Sequence, residues 1–168
     1  YLKIARQVGL RSTCFRNRGG AIIVRDDQVI ATGYIGAPRK TKDCFERNDC
    51  LRDKLGIPHG KQYEMCRSVH AEMNAIINAA RAGVSLFGGE IYMSFDNPKD
   101  DTARDSFPCF ICKKMIINCG IKRIVCTDNK NNIVIFNVED LVKDWQEKDI
   151  IDDQRQFGTD LNIKEGLK

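Results

Sequence analysis

The sequence has no apolar run long enough to span a bilayer. Its longest stretches, residues 21–24 and 133–136, fall far short of the ~18 to 20 residues a membrane helix needs, so no membrane association is expected. It also lacks a strong excess of charge of either sign. The 27 Lys and Arg stand against 23 Asp and Glu, a net charge of +4 spread along the chain. That balance does not distinguish an anionic small molecule from nucleic acid as the partner. Only four prolines and two histidines occur, and no internal repeat is visible. With 168 residues, 42% hydrophobic and 30% charged, a mostly disordered chain is excluded and one domain with one core is the expectation. Residues 1–8 carry Lys3 and Arg6 where a secretory leader would need an unbroken apolar core, so a cytoplasmic setting is expected.

Cysteine, by contrast, is plentiful. The eight cysteines at 14, 44, 50, 66, 109, 112, 119 and 126 are too sparse for a small disulfide scaffold and too many for incidental packing. Both histidines, His59 and His70, lie within their span. Thiols and imidazoles concentrated in this way point to metal.

Hydrophobic periodicity predicts a helix over residues 1–13, then two short strands, 21–24 and 29–32, joined at Asp26, Asp27 and Gln28. Residues 33–67 are polar and cysteine-rich, with little apolar material to order them, so a metal clip would keep the segment compact. A helix opens at Ser68 or Val69 and closes at Gly83. A strand follows over 90–95, a polar excursion over 96–107, and a helix from Pro108 to Cys119. Strands over 121–127 and 133–136 and a helix over 138–146 complete the order, which reads as an α/β sandwich around a mixed sheet of roughly five strands. Residues 1–148 form the expected domain, and 149–168 a peripheral, charged, partly disordered tail.

His70-Ala71-Glu72 stands at one predicted helix start and Pro108-Cys109-Phe110-Ile111-Cys112 at another. Cysteines at i and i+3 share a helix face, and a helix N-terminus favours their thiolate form. His70, Cys109 and Cys112 are therefore three candidate zinc ligands. Three protein ligands leave a position for water, where a structural zinc would recruit a fourth. Glu72, two residues from the imidazole, is placed to move protons without ligating. A Cys-x-x-Cys pair alone is as often a structural clip or a redox pair, and His-x-Glu alone means little; together they are far more specific.

At these residues the sequence resembles the zinc-dependent cytidine and deoxycytidylate deaminase superfamily, and more closely its deoxycytidylate (dCMP) deaminase branch. The likeness runs from residue 1 to about 127. It continues through Arg11-Ser12-Thr13-Cys14, Gly20-Ala21-Ile22-Ile23-Val24, Gly33-Tyr34-Ile35-Gly36-Ala37-Pro38-Arg39, Cys50-Leu51-Arg52, Gly56-Ile57-Pro58, Cys66-Arg67, His70 to Ile76, and Cys112 to Ile117 with Gly120-Ile121-Lys122. The resemblance implies a three-layer α/β/α fold, a catalytic zinc, hydrolytic deamination of dCMP to dUMP with loss of ammonia, and assembly into homo-oligomers. It also implies a second, structural zinc, for which Cys14, Cys44, Cys50 and Cys66 remain as four thiolates, with His59 on the same loop as an alternative ligand. Cys119 and Cys126, among Ile residues, read as apolar packing.

Two departures bear on substrate. Ile35 stands where the family has an Asn that hydrogen-bonds the sugar, and an apolar side chain makes no such bond. Residues 97–106 look like an insertion, expected at the mouth of the site as a lid. Ile35, Ala71, Ser94 and Arg39 are candidate substrate contacts. Arg16, Arg18, Arg39 and Lys40 as a group suit a monophosphate, and Asn74 is expected to support structure. The competing readings are deamination of another nucleotide or of a base in RNA or DNA, and a catalytically lapsed zinc module regulating a larger protein. The cysteine-rich segment and the Gly-Tyr-x-Gly-Ala-Pro-Arg stretch argue for a free nucleotide over nucleic acid. Retention of Glu72 argues for an enzyme.

Overall fold

The computed structural model describes residues 1–147, so the expected tail lies outside the described residues. Strands β1 (Arg18–Arg25) and β2 (Gln28–Tyr34) form an antiparallel hairpin with Arg25 opposite Gln28. Its two-residue turn has Asp26 and Asp27 at φ 51° and 59°. Both values are positive, as a turn matching strand twist requires, and Asp tolerates them better than most residues. β1 also pairs antiparallel with β3 (Glu90–Asp96), and β3 runs parallel to β5 (Arg123–Thr127), which pairs antiparallel with β6 (Ile133–Asn137). The order β2-β1-β3-β5-β6 is the expected mixed five-stranded sheet. A two-residue strand β4 (Ala103–Arg104) adds a sixth by pairing with the end of β3, inside the segment expected to be a loop.

Residue alternation along β1 decides the layers. Ile22 and Val24 face helix α1 (Leu2–Gly9), packing with Ala5, Val8 and Tyr92. Ala21 and Ile23 face the opposite side, where helices α3 (Ala71–Arg81), α4 (Phe110–Asn118) and α5 (Val138–Glu147) lie. The result is the α/β/α sandwich. Ile23 is fully buried there, and its truncation to Ala would cost about 2–5 kcal/mol.

Close helix approach explains the small residues. A Cβ on Gly20 would lie 2.1 Å from the Ala5 carbonyl oxygen, and one on Gly33 2.3 Å from that of Ala71. Ala71, Ala75 and Ala79 form the α3 stripe that sits on the sheet at this distance. Helix α1 stops at Gly9, short of the expected residue 13. Residues 10–12 close with i−3 bonds, and Ser12 then turns to β1, its Oγ donating to the Gly19 carbonyl (2.9 Å) and accepting from the Gly19 amide (3.0 Å). In the polar segment a short helix α2 (Leu51–Lys54) and a 3-10 turn (Tyr63–Met65) form, neither visible in the hydrophobic pattern.

Candidate metal centre

His70 is the N-cap of α3, held in extended conformation after a bridge in which the Gly36 and Val69 amides each donate to the other's carbonyl. Cys109 is the N-cap of α4, beyond the C-terminal end of β3, and Cys112 lies buried in its first turn. Both helix N-termini thus meet at one place, where their dipoles favour negative charge. The Cys109 and Cys112 sulfurs each lie 3.4 Å from His70 Nδ1. Among the described residues, these three are the one group of His, Cys, Asp or Glu donors within 4.8 Å of one another. Two soft thiols and an imidazole nitrogen suit zinc.

The electrostatics agree with a cation site. A hydrogen bond from the Cys112 thiol, aided by His70, holds the Cys109 thiol down at about 4, while that same bond and burial push Cys112 well above its ordinary value. Burial opposes charge on His70, yet the hydrogen bond with Cys109 and the nearby Glu72 carry its pKa above the usual histidine range. Glu72 is 1% exposed, its pKa raised chiefly by burial, and its Oε2 has no hydrogen-bond partner. An unpartnered buried carboxylate oxygen is costly, and such groups concentrate where chemistry uses them.

A cavity of about 380 Å³ opens onto this centre, lined by His70, Glu72 and Cys109, with Ile35, Phe95 and Phe107 on its apolar side. Cys14, Cys44, Cys50 and Cys66 also line it, as does His59, and all eight cysteines are free thiols. The four thiols share this wall without the closeness of the His70 group.

The other expected contacts divide. Of the basic set, Arg16 alone lines the cavity; Arg39 reaches away to Asn78 Oδ1, Lys40 is exposed, and Arg18 pairs with Asp96 and Asp101. Ala71 is buried under β2. Ser94 is a correction: it shares the β3 face of Tyr92 and Asp96, which contact α1, whereas its neighbour Phe95 meets the cavity. Asn74 is structural, its Nδ2 donating to the Tyr34 carbonyl at 2.8 Å.

Residues 97–106, the expected insertion, are tied to the body of the fold and bring Asp105 to the cavity. Asp96 pairs with Arg6 (2.8 Å) and Arg18 (3.4 Å), Asp101 pairs with Arg18 (2.6 Å), and buried Ser106 accepts the Phe95 amide at 2.9 Å. Tyr63, unmarked by any motif, also lines the cavity beside His70.

Residues 1–128 match the family described as the cytidine and deoxycytidylate deaminase zinc-binding region. The deoxycytidylate deaminase of Schizosaccharomyces pombe is 34% identical over 125 residues, 74% of this chain and 35% of that protein. That of Mycobacterium phage D29 is 33% identical over 130 residues, covering 74% of this chain and 89% of the phage protein. The aligned region thus spans 35% of the length of the S. pombe relative but most of the phage one. The structure of dCMP deaminase from the cyanophage S-TIM5 in complex with dCMP and dUMP superposes with a TM-score of 0.55 at 23% identity, over 94% of this chain and 89% of that one, a likeness of fold.

Proposed function

Because the chain belongs to the cytidine and deoxycytidylate deaminase zinc-binding family, with deoxycytidylate deaminases among its relatives, we propose that it catalyses hydrolytic deamination of a cytosine nucleotide, dCMP to dUMP with release of ammonia. The observation that carries this reading is the buried, unpartnered Glu72 Oε2 two residues beyond His70, beside three converging donors. His70 Nδ1, Cys109 Sγ and Cys112 Sγ would hold zinc. When bound, zinc would bring a water's ionisation into the neutral range. Glu72 would take a proton from the attacking water and pass protons to the ring nitrogen and then to the departing amine, a C–O bond forming at the amine-bearing ring carbon as the C–N bond breaks. Burial suits Glu72 to this, because a carboxyl with a raised pKa holds a proton more readily between transfers. Phe95 and Phe107 supply apolar surface that keeps bulk water away. Ile35, on the same cavity, offers no hydrogen bond to a sugar, which supports relaxed selection at the ribose.

The proposal extends to a second, structural zinc held by Cys14, Cys44, Cys50 and Cys66, supported by four free thiols on one wall of the cavity. Homo-oligomers are supported by Ile133 and Ile135, 65% and 55% exposed on β6. Eight free cysteines support a reducing, cytoplasmic setting. The test of activity is ammonia release from dCMP, CMP, deoxycytidine and AMP by the purified protein. Turnover of dCMP above AMP is expected, and no release from any cytosine compound by zinc-loaded protein would overturn the reading.

A further inference from the structure

Among the described residues, seven buried side-chain oxygen or nitrogen atoms have no hydrogen-bond partner, and five of them belong to residues that line the cavity holding Glu72. They are Arg16 Nη1, Asn17 Oδ1, Arg52 Nε, Ser68 Oγ and Glu72 Oε2. The two guanidinium nitrogens donate, the serine hydroxyl can turn to donate or accept, and the other two oxygens accept. Glu72 Oε2 is accounted for by proton transfer. Asn17 Oδ1 is an acceptor without a use: two guanidiniums line the same cavity, yet neither reaches it. Buried polar atoms are paired almost without exception, and leaving one unpaired is costly, so an orphan on a cavity wall calls for a donor on a ligand.

Asn17 is held from both sides. Arg16, before it, uses both polar main-chain atoms: its N–H donates to Cys14 Sγ at 3.4 Å and its carbonyl accepts from Arg104 Nη1 at 2.8 Å. Arg18, after it, opens β1 opposite Asp96, and its guanidinium pairs with Asp96 and Asp101. Two residues on, at Gly19, the Phe95 ring and Ile35 Cδ1 take the space of the missing side chain, 2.3 and 3.0 Å from where a Cβ would stand. Asn17, Ile35 and Phe95 all line the cavity, and of the three only Asn17 can hydrogen-bond through its side chain. A polar group on so fixed a support selects by geometry. Cys14, Cys44, Cys50 and Cys66 on the same wall do not satisfy the acceptor. As free thiols none reaches it, and as zinc-bound thiolates they would accept hydrogen bonds and donate none.

The donor follows from the chemistry of the ligand. Apart from its phosphate, which near neutral pH is chiefly an acceptor, dCMP has two groups that donate: the amine on the reacting carbon and the 3′-hydroxyl of the sugar. The amine is the leaving group and faces Glu72 and the metal donors. The ring carbonyl and the unprotonated ring nitrogen only accept. The 3′-hydroxyl is therefore the donor left for Asn17 Oδ1, and a cavity of about 380 Å³ that includes both Asn17 and Glu72 is of the size that takes a small ligand whole.

We propose that Asn17 is a specificity-determining residue whose Oδ1 accepts a hydrogen bond from the 3′-hydroxyl of the nucleotide sugar. This rests on the reading of the chain as a cytosine nucleotide deaminase, and adds which sugar group it recognises and through which side chain. CMP has the same hydroxyl, so the contact does not choose between ribose and deoxyribose. The test is calorimetric titration of the zinc-loaded protein with dUMP, UMP and 2′,3′-dideoxyuridine monophosphate, in the wild type, Asn17→Leu and Asn17→Asp, with folding checked by circular dichroism. In the wild type dUMP and UMP should each bind about tenfold tighter than the dideoxy compound. Asn17→Leu keeps the bulk of the side chain and removes its acceptor, so dUMP and UMP should weaken about tenfold while the dideoxy compound is unchanged. Asn17→Asp keeps the acceptor and should preserve the wild-type ratio, whatever its charge does to all three ligands together. If Asn17→Leu does not fold, Asn17→Ala replaces it with the same expected result. A wild type that binds all three alike overturns the contact. So does a folded Asn17→Leu or Asn17→Ala protein that keeps the wild-type ratio, weakens all three equally, or weakens UMP alone. Any of these results in a protein that deaminates dCMP leaves the deaminase reading standing. An Asn17-dependent preference for the 3′-hydroxyl in a protein that releases no ammonia from any cytosine compound would keep the contact and overturn that reading.

Discussion

The Tyr63 ring stands edge-on to the His70 imidazole, with ring centroids 4.8 Å apart and planes at 85°. His70 is thereby fixed from the side of the cysteine-rich segment, while the Arg52 guanidinium lies 5.0 Å from the centroid of the same tyrosine ring. Tyr63→Ala should free the imidazole and speed zinc loss to a chelator about tenfold, the scale found when groups that orient metal ligands are removed. Tyr63→Phe should behave as wild type. Equal zinc release from all three proteins would show that the ring contact does not position His70.

Cys126 is wholly buried on β5, and burial pushes its thiol up to about 12. At pH 8 about one molecule in ten thousand would carry the thiolate, the reactive form. In the native protein Cys126 should therefore escape iodoacetamide under conditions that label it fully in denaturant. Mass spectrometry of the labelled peptides reads this, and rapid native labelling would contradict the packing.

Much of the fold is legible locally, because its causes are local. The Ala71, Ala75, Ala79 stripe and Gly83, at φ 69°, mark α3 and its end, a continuous apolar run marks β1, and alternation marks β3. The zinc-ligand candidates are legible because His70 and the Cys109–Cys112 pair each stand at a helix start. Alternation does not say which side of β3 faces the cavity, so Ser94 was assignable only once Tyr92 and Asp96 were seen against α1. Segment 36–67 is ordered by contacts distant in sequence, such as Arg16 with Asp53 and Arg67 with Asp49, which leave no period.

Asp49 ties that segment together through Arg67 and through Lys54, the latter at 2.5 Å. The Arg67 hydrogen bond, then that of Lys54, holds its pKa below the ordinary value. A carboxylate whose folded pKa is depressed stabilises fully above its unfolded value, about 3.9, and loses that contribution as pH falls through the folded value. Hydrogen exchange over 36–67 should therefore quicken below about pH 4 in the wild type, and Asp49→Asn should already show the faster exchange at pH 7. Identical exchange in both proteins at pH 7 would show that the pair orders nothing.

Ile35 is 8% exposed, its amide donating to the Gly19 carbonyl at 3.1 Å and its side chain on the cavity. Ile35→Asn should cost about 1–3 kcal/mol of stability, since a buried apolar group is lost. It should also raise the ratio of kcat/KM for dCMP over CMP, because a site built to hydrogen-bond a sugar discriminates where an apolar one does not. A wild type already as selective as the variant would show that Ile35 does not mark a change of substrate.

Glu72→Gln keeps the size of the side chain and removes its proton-carrying oxygen chemistry, so it separates metal holding from turnover. The decisive measurement is zinc content and ammonia release from dCMP, taken together on the wild type and this variant. The expected result is equal zinc at the His70, Cys109 and Cys112 site with turnover reduced by at least about 10² to 10⁴, the contribution of general acid–base catalysis. A folded, zinc-loaded Glu72→Gln protein that released ammonia at more than about a tenth of the wild-type rate would contradict the account, because another group would then be moving the proton.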